Sequence, residues 1–301
     1  MNRLFLTFLL MLPALSAQTL TVTPAATPGD YASPLDAAPD PQGNFFYYTA
    51  AGPAGASVFK VAASGGPVTA LAAGAPLVNP VGVVASTDGA RVYVADTRAY
   101  AAPGRVGQIF VIDTNSGAVR TLPAVAGLQA RALDIVSEGG RDVLFVAGRN
   151  GLGQPAIYRL VVGEEQAAPL HQGAPLVEPG GIAVSSGGDV YVADRGDHPF
   201  AGAVYRLRDR AMTIIVESMR AGDPAGIALT RDESTLLVSA LQSHRKRAQV
   251  LLVDLATLET QAVTAVVGQH PAAGGLHRAR LVDVFAWADS EPPGVIYRVR
   301  K

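Results

Sequence analysis

The chain has 301 residues, of which 49% are hydrophobic and only 16% charged, so it can bury a large core and is not a disordered segment. Its net charge of −1 supplies no overall field for nucleic acid or an anionic membrane, which excludes binders that work by bulk charge. With no cysteine, disulfides and acylated-cysteine anchors are excluded and stability must come from burial.

Residues 1–17, MNRLFLTFLLMLPALSA, carry a cation at Arg3, an apolar run from Leu4 to Leu12, a break at Pro13 and then small residues. That is the layout of a cleaved secretory signal peptide. A membrane anchor needs about 20 apolar residues, and this run stops at roughly half that. The expected product is a secreted or periplasmic protein without a membrane span after cleavage, and residues 18–301 are expected to form one domain.

After a short β-rich run, TLTVTP at 19–24, two phrases recur along the chain. One is SVFKV at 57, QIFVI at 108, AIYRL at 156, AVYRL at 203, QVLLV at 249 and VIYRV at 295, at intervals of 46 to 51 residues. The other precedes it each time: PLDAA at 34, PVGVV at 80, ALDIV at 132, PGGIA at 179, PAGIA at 224 and a degraded AGGLH at 273. Six units result, at about 31–72, 77–124, 130–170, 177–217, 223–267 and 272–301.

Each unit holds four short apolar runs separated by turns, as in GIAVS, VYVAD, AVYRLR and MTIIVE of the fourth. Asp88-Gly89 and Gly187-Gly188 suit two-residue hairpins, which need positive φ angles. The runs are too continuously apolar for sheets with one wet face, so both faces must be covered by neighbouring sheets. The expectation is an all-β, six-bladed β-propeller of four-stranded antiparallel blades. The sixth unit supplies three strands, and residues 19–24 are expected to complete it and close the ring.

The stretch EPGGIAVSSGGDVYVADRGD at 178–197 resembles an NHL repeat, and the repeats are similar to those of the SMP-30/gluconolactonase and strictosidine-synthase-like six-bladed propellers. FVIDTNSGAVRTL at 110–122 resembles YVTN-type blades. The resemblance implies a functional mouth where each first strand starts and each second strand ends. It also implies, for metal-dependent members, a divalent ion on the axis held partly by the middle residues of Pro-x-Gly phrases. Those positions read here as Leu35, Val81, Leu133, Gly180, Ala225 and Gly274, which offer no ligand, so no metal site is assigned. A calcium or zinc ion stays open only through the neighbouring Asp36 and Asp134.

No G-x-S-x-G elbow, H-E-x-x-H, Cys-x-x-Cys or P-loop occurs. DTNSG at 113–117 reads as a hairpin turn rather than a calcium loop, and GRNGLG at 148–153 as a loop between strands. Asp36 and Asp134 stand where other units keep glycine, and they are candidates either for proton transfer near the axis or for capping backbone amides. His198 is the best-placed imidazole for acid–base work. Asp96, Asp194, Asp289, Arg149 and Arg195 reach the same mouth as candidate ligand-binding residues, and the repeated YVAD aspartates also suit a structural hydrogen-bonding role. The basic run from His244 to Arg247 is either an anion grip or a solvated loop. Two functions fit: binding of a small molecule, peptide or glycan at the mouth, or hydrolysis of a lactone or ester at a degenerate or relocated site. A strictosidine-synthase-like condensation lacks a specific motif.

Overall fold

The computed structural model describes residues 20–29, 31–198, 200–222, 224–241, 248–263, 274–290 and 294–301. The segment read as a signal peptide and the basic run at 244–247 lie outside these residues. The described chain forms six four-stranded antiparallel sheets and is essentially all β, with one 3₁₀ turn at Pro123–Val125. The sheets are the six blades of a β-propeller.

The first strands of blades 1 to 6 are Ala32–Pro39, Pro80–Ala85, Gln129–Glu138, Pro179–Val184, Ile227–Leu229 and Leu276–Arg278. Each packs against the first strands of the blades before and after it, so these six line the axis. Blade 6 is completed by Thr21–Ala26, which pairs with Val295–Arg300 from Thr21 opposite Arg300 to Ala26 opposite Ile296. The alternation of Thr and Val at 21–23 lets one short run fill an open edge that would otherwise expose unpaired backbone groups.

The core is divided into six layers, one between each pair of adjacent blades. Between blades 1 and 2, for example, Tyr47 and Val58 meet Val83, Val94 and Phe110. Tyr31, Tyr48 and Phe59 pack as an aromatic group beside blade 6, with Tyr48 and Phe59 stacked at 5.4 Å. Both faces of every sheet are therefore dry, which is why the strands read as nearly unbroken apolar runs. Burying each such side chain contributes about 1.5–3 kcal/mol, and the layers share that stabilisation around the ring.

The turns after the first strands differ from the expected two-residue hairpins. In blade 2 the strands end at Ala85 and resume at Arg91, and in blade 4 they end at Val184 and resume at Val190. Only Gly89 and Gly188 take positive φ, at 75° and 87°; Asp88 and Gly187 do not. Ser86 and Ser185 accept the N–H groups of Gly89 and Gly188, making an ordinary turn closed by one left-handed glycine. The Asp113 turn is also a turn: its Oδ1 accepts the N–H groups of Asn115 and Ser116 at 3.0 and 2.8 Å.

Candidate functional site

At the mouth, where second strands end, the aspartates are consumed by backbone. Asp96 is fully buried and accepts the N–H groups of Val78, Asn79, Arg98 and Ala99 at 2.8–3.0 Å. Asp194 accepts those of Val177 and Glu178 at 2.9 and 3.1 Å and of Gly196 at 2.7 Å. A carboxylate offers about four lone-pair sites, so both groups clamp the loop entering their blade to the loop leaving its second strand. Arg149 donates to the carbonyls of Gly153 and Val177 and pairs with Glu178, which Arg131 approaches at 3.7 Å. Asp289 is buried at the end of Val284–Asp289, and the Arg195 N–H donates to the Glu178 carbonyl. His198 is exposed, 3.6 Å from Asp197, in the loop that follows the second strand of blade 4.

Strand register corrects the equivalence of Asp36 and Asp134. The inner-strand residue facing the middle of the second strand is Ala37 in blade 1 (opposite Tyr48), Val83 in blade 2 (opposite Val94), Leu133 in blade 3 (opposite Val146) and Leu276 in blade 6 (opposite Trp287). One residue earlier stand Asp36, Gly82, Ala132 and Gly275; one residue later stand Ala38, Val84, Asp134 and His277. Asp134 thus lies two residues further along the channel than Asp36. Blade 3 carries Ala130 and Ala132 where blade 2 has Pro80 and Gly82, and the same bulge follows Ala130 as follows Pro80 and Pro179. Without the proline and glycine as punctuation, Leu133-Asp134 imitates Leu35-Asp36 two residues out of phase. The Pro-x-Gly middle position of blade 3 is accordingly Arg131, not Leu133. The glycine is needed where inner strands crowd: a Cβ on Gly82 would lie 2.5 Å from the Arg131 carbonyl oxygen, and one on Gly275 only 1.7 Å from Asp36 Oδ1.

Ala38, Val84, Asp134, Ala183, Ala228 and His277 form one tier, a residue from each blade, and all six line a cavity of about 380 Å³. The two polar members come from blades 3 and 6, on opposite sides of a six-membered ring. The next tier, with Pro39, Ala85, Ile135, Val184, Leu229 and Arg278, continues the wall toward the turns that end the first strands. This cavity therefore opens at the end of the channel opposite the expected mouth.

Both axial carboxylates cap backbone. Asp36 accepts the N–H groups of Ala37 at 2.9 Å and of Val83, in the next blade, at 2.8 Å; Asp134 accepts those of Ile135 at 2.8 Å and of Val184, likewise in the next blade, at 2.7 Å. Asp36 also meets His277 Nε2 at 3.1 Å, and both side chains are buried. Burial holds Asp134 above the ordinary carboxylate range, opposed by the positive field of His277. Burial pulls the His277 ring down, but the Asp36 carboxylate beside it, with Asp134 beyond, more than offsets this and leaves it raised. Arg278 is turned into the wall, donating to the carbonyls of Leu229, Ala279 and Arg280 at 2.7, 2.7 and 3.1 Å. His277 escaped the sequence reading although AGGLH contains it: the phrase looked like a degraded strand, and its histidine was the signal.

The NHL repeat family matches residues 176–198, the first two strands of blade 4. Within the six-bladed propeller, that stretch is what is similar to an NHL repeat. Among solved structures, the chain is similar to a gluconolactonase from Xanthomonas campestris (15% identity, 93% of this chain and 89% of that one, TM-score 0.64). It is also similar to a luciferin-regenerating enzyme (14%, 94% and 96%, TM-score 0.60) and to a chain of a nidogen/laminin complex (17%, 81% and 84%, TM-score 0.60). At these identities the shared property is the fold. No curated protein sequence matches it.

The donor set of this propeller does not fit a divalent ion of the axial kind. In register, the implied ligand positions are Leu35, Val81, Arg131, Gly180, Ala225 and Gly274, and an arginine there opposes a cation. Among the described residues no group of three or more His, Cys, Asp or Glu side chains is placed to hold a metal. Among them, too, no helix is long and apolar enough to cross a membrane.

Proposed function

We propose that this propeller is an exported binding protein that takes a small molecule into the channel from the turn end. The supporting observation is the cavity of about 380 Å³, which falls within the usual size of small-molecule sites and combines a largely apolar deep wall with a polar rim of serines and charged side chains. At depth, Asp134 and His277 interrupt a tier that is otherwise Ala and Val. The loops at the opposite mouth spend their aspartates and Arg149 on one another, which leaves less there for a ligand. Export rests on the composition of residues 1–17.

The test is a small-molecule screen by ligand-observed NMR, repeated on Val136→Trp, which places an indole in the cavity wall. Hits lost in that variant support the reading; hits indifferent to it contradict it. Hydrolysis of a lactone or ester is the second reading, favoured by the buried Asp36–His277 pair against the cavity and consistent with the fold shared with a gluconolactonase. Turnover of a lactone and ester panel that is abolished in His277→Gln would replace binding by hydrolysis.

A further inference from the structure

Resting on that reading of the cavity, we propose that the ligand is a small organic cation, an ammonium or amidinium group on an apolar body, with the positive group seated on Asp134. The deep tier holds two ionisable side chains, and they are not in the same condition. His277 already has a carboxylate partner in Asp36 at 3.1 Å. Both hydrogen bonds that the described residues give Asp134 come from backbone N–H groups, one to each oxygen. Each oxygen keeps a second lone pair, and the side chain lines the cavity.

An anion is less well served. Arg278 is the other deep cation, and three backbone carbonyls hold its guanidinium in the wall. Of the rim acids, Glu233 accepts the N–H and hydroxyl of Ser186 and Glu138 pairs with Arg159. An ammonium on Asp134 would form a charge-assisted hydrogen bond out of bulk water, where such bonds are strongest. Val84, Ala183, Ile227 and Phe145 would cover its apolar part.

Binding a cation here requires Asp134 to be ionised, and burial favours its neutral form, so uptake releases a proton wherever that form is populated. The charged groups around Asp134 are His277, Arg278 and Arg280 across the channel, with Asp36 held against His277, Glu233 in blade 5 and Glu138 at the end of its own strand. Raising the pH ionises Asp134 and discharges His277, and both changes favour a cation. Amine affinity should therefore climb with pH as long as the amine itself stays protonated.

The experiment measures binding of phenethylamine, 2-phenylethanol and 3-phenylpropanoate to the full chain by calorimetry, across pH and in buffers of different ionisation enthalpy. The expected result is that the amine binds about tenfold or more tightly than the alcohol, with proton release, and that Asp134→Asn removes this preference, the amine falling to about the affinity of the alcohol. The proton release in the wild-type protein tests the idea even if that variant fails to fold. Alcohol or carboxylate binding as well as the amine would overturn the cation inference and leave the channel reading standing, as would amine binding indifferent to Asp134→Asn. Absence of binding by all three probes, together with no screen hit lost in Val136→Trp, would remove both.

Discussion

The two ends of the channel use the same residue type for opposite purposes. At the mouth, Asp96 meets four backbone N–H groups and is fully buried, so its charge is spent within the loops it ties. At the turn end, Asp134 meets two and borders a cavity, with His277 on the opposite side of the tier. A carboxylate saturated by backbone is scaffold, whereas one half satisfied beside an open space is available to a ligand. Blades 2 and 4 repeat the lesson within the mouth. Asn79 bonds Thr97 in one copy, where Glu178 gathers Arg149 and Arg131 in the other, and both choices join loops.

The largest perturbation opens the ring that holds both ends. Deleting residues 18–26 removes the fourth strand of blade 6 and should lower the melting temperature by roughly 10 °C or more, since each 1 kcal/mol is worth a few degrees in a domain of this size. An unchanged melt would show that the strand does not latch the ring. Next, Asp96→Ala should cost about 3 kcal/mol in a denaturant titration, because several buried N–H groups lose their acceptor, while ligand uptake at the turn end stays as in the wild type. A stable variant with impaired uptake would reverse the roles assigned to the two ends.

The smallest effect is a pH dependence at the cavity. His277 is raised above its ordinary value of 6.5, so the stability it contributes is complete below that value and is lost as the pH rises through the raised one. The difference in melting temperature between wild type and His277→Gln should be greatest on the acid side and shrink with rising pH. A difference that grows with pH would mean that the ring is neutral in the fold.

Much of the fold was legible because the physics repeats six times: apolar runs broken by turns recur every 46 to 51 residues, and four of the six third strands carry an aromatic followed by a basic residue. The closing strand was legible too, since an open edge needs a partner and 19–24 has the right alternation, although the strand runs Thr21–Ala26, two residues later than that reading. The site was harder. Asp134 is legible as a channel carboxylate but reads two residues out of phase, because Ala130 and Ala132 replace the Pro and Gly that mark the bulge elsewhere. His277 belongs to the same tier, but its blade neighbours in sequence look degraded. The cavity itself follows from side-chain sizes across six blades, Ala38, Val84, Ala183 and Ala228 among them, and no single stretch of sequence contains it.

Whether ligand enters at the turn end is decided by one paired measurement. Affinity for a ligand from the screen is compared between Val136→Trp, which crowds the cavity, and Arg149→Ala, which loosens the mouth loops. Binding is expected to be lost in the first and kept in the second. Binding kept in the first and lost in the second would place the site at the other end of the channel.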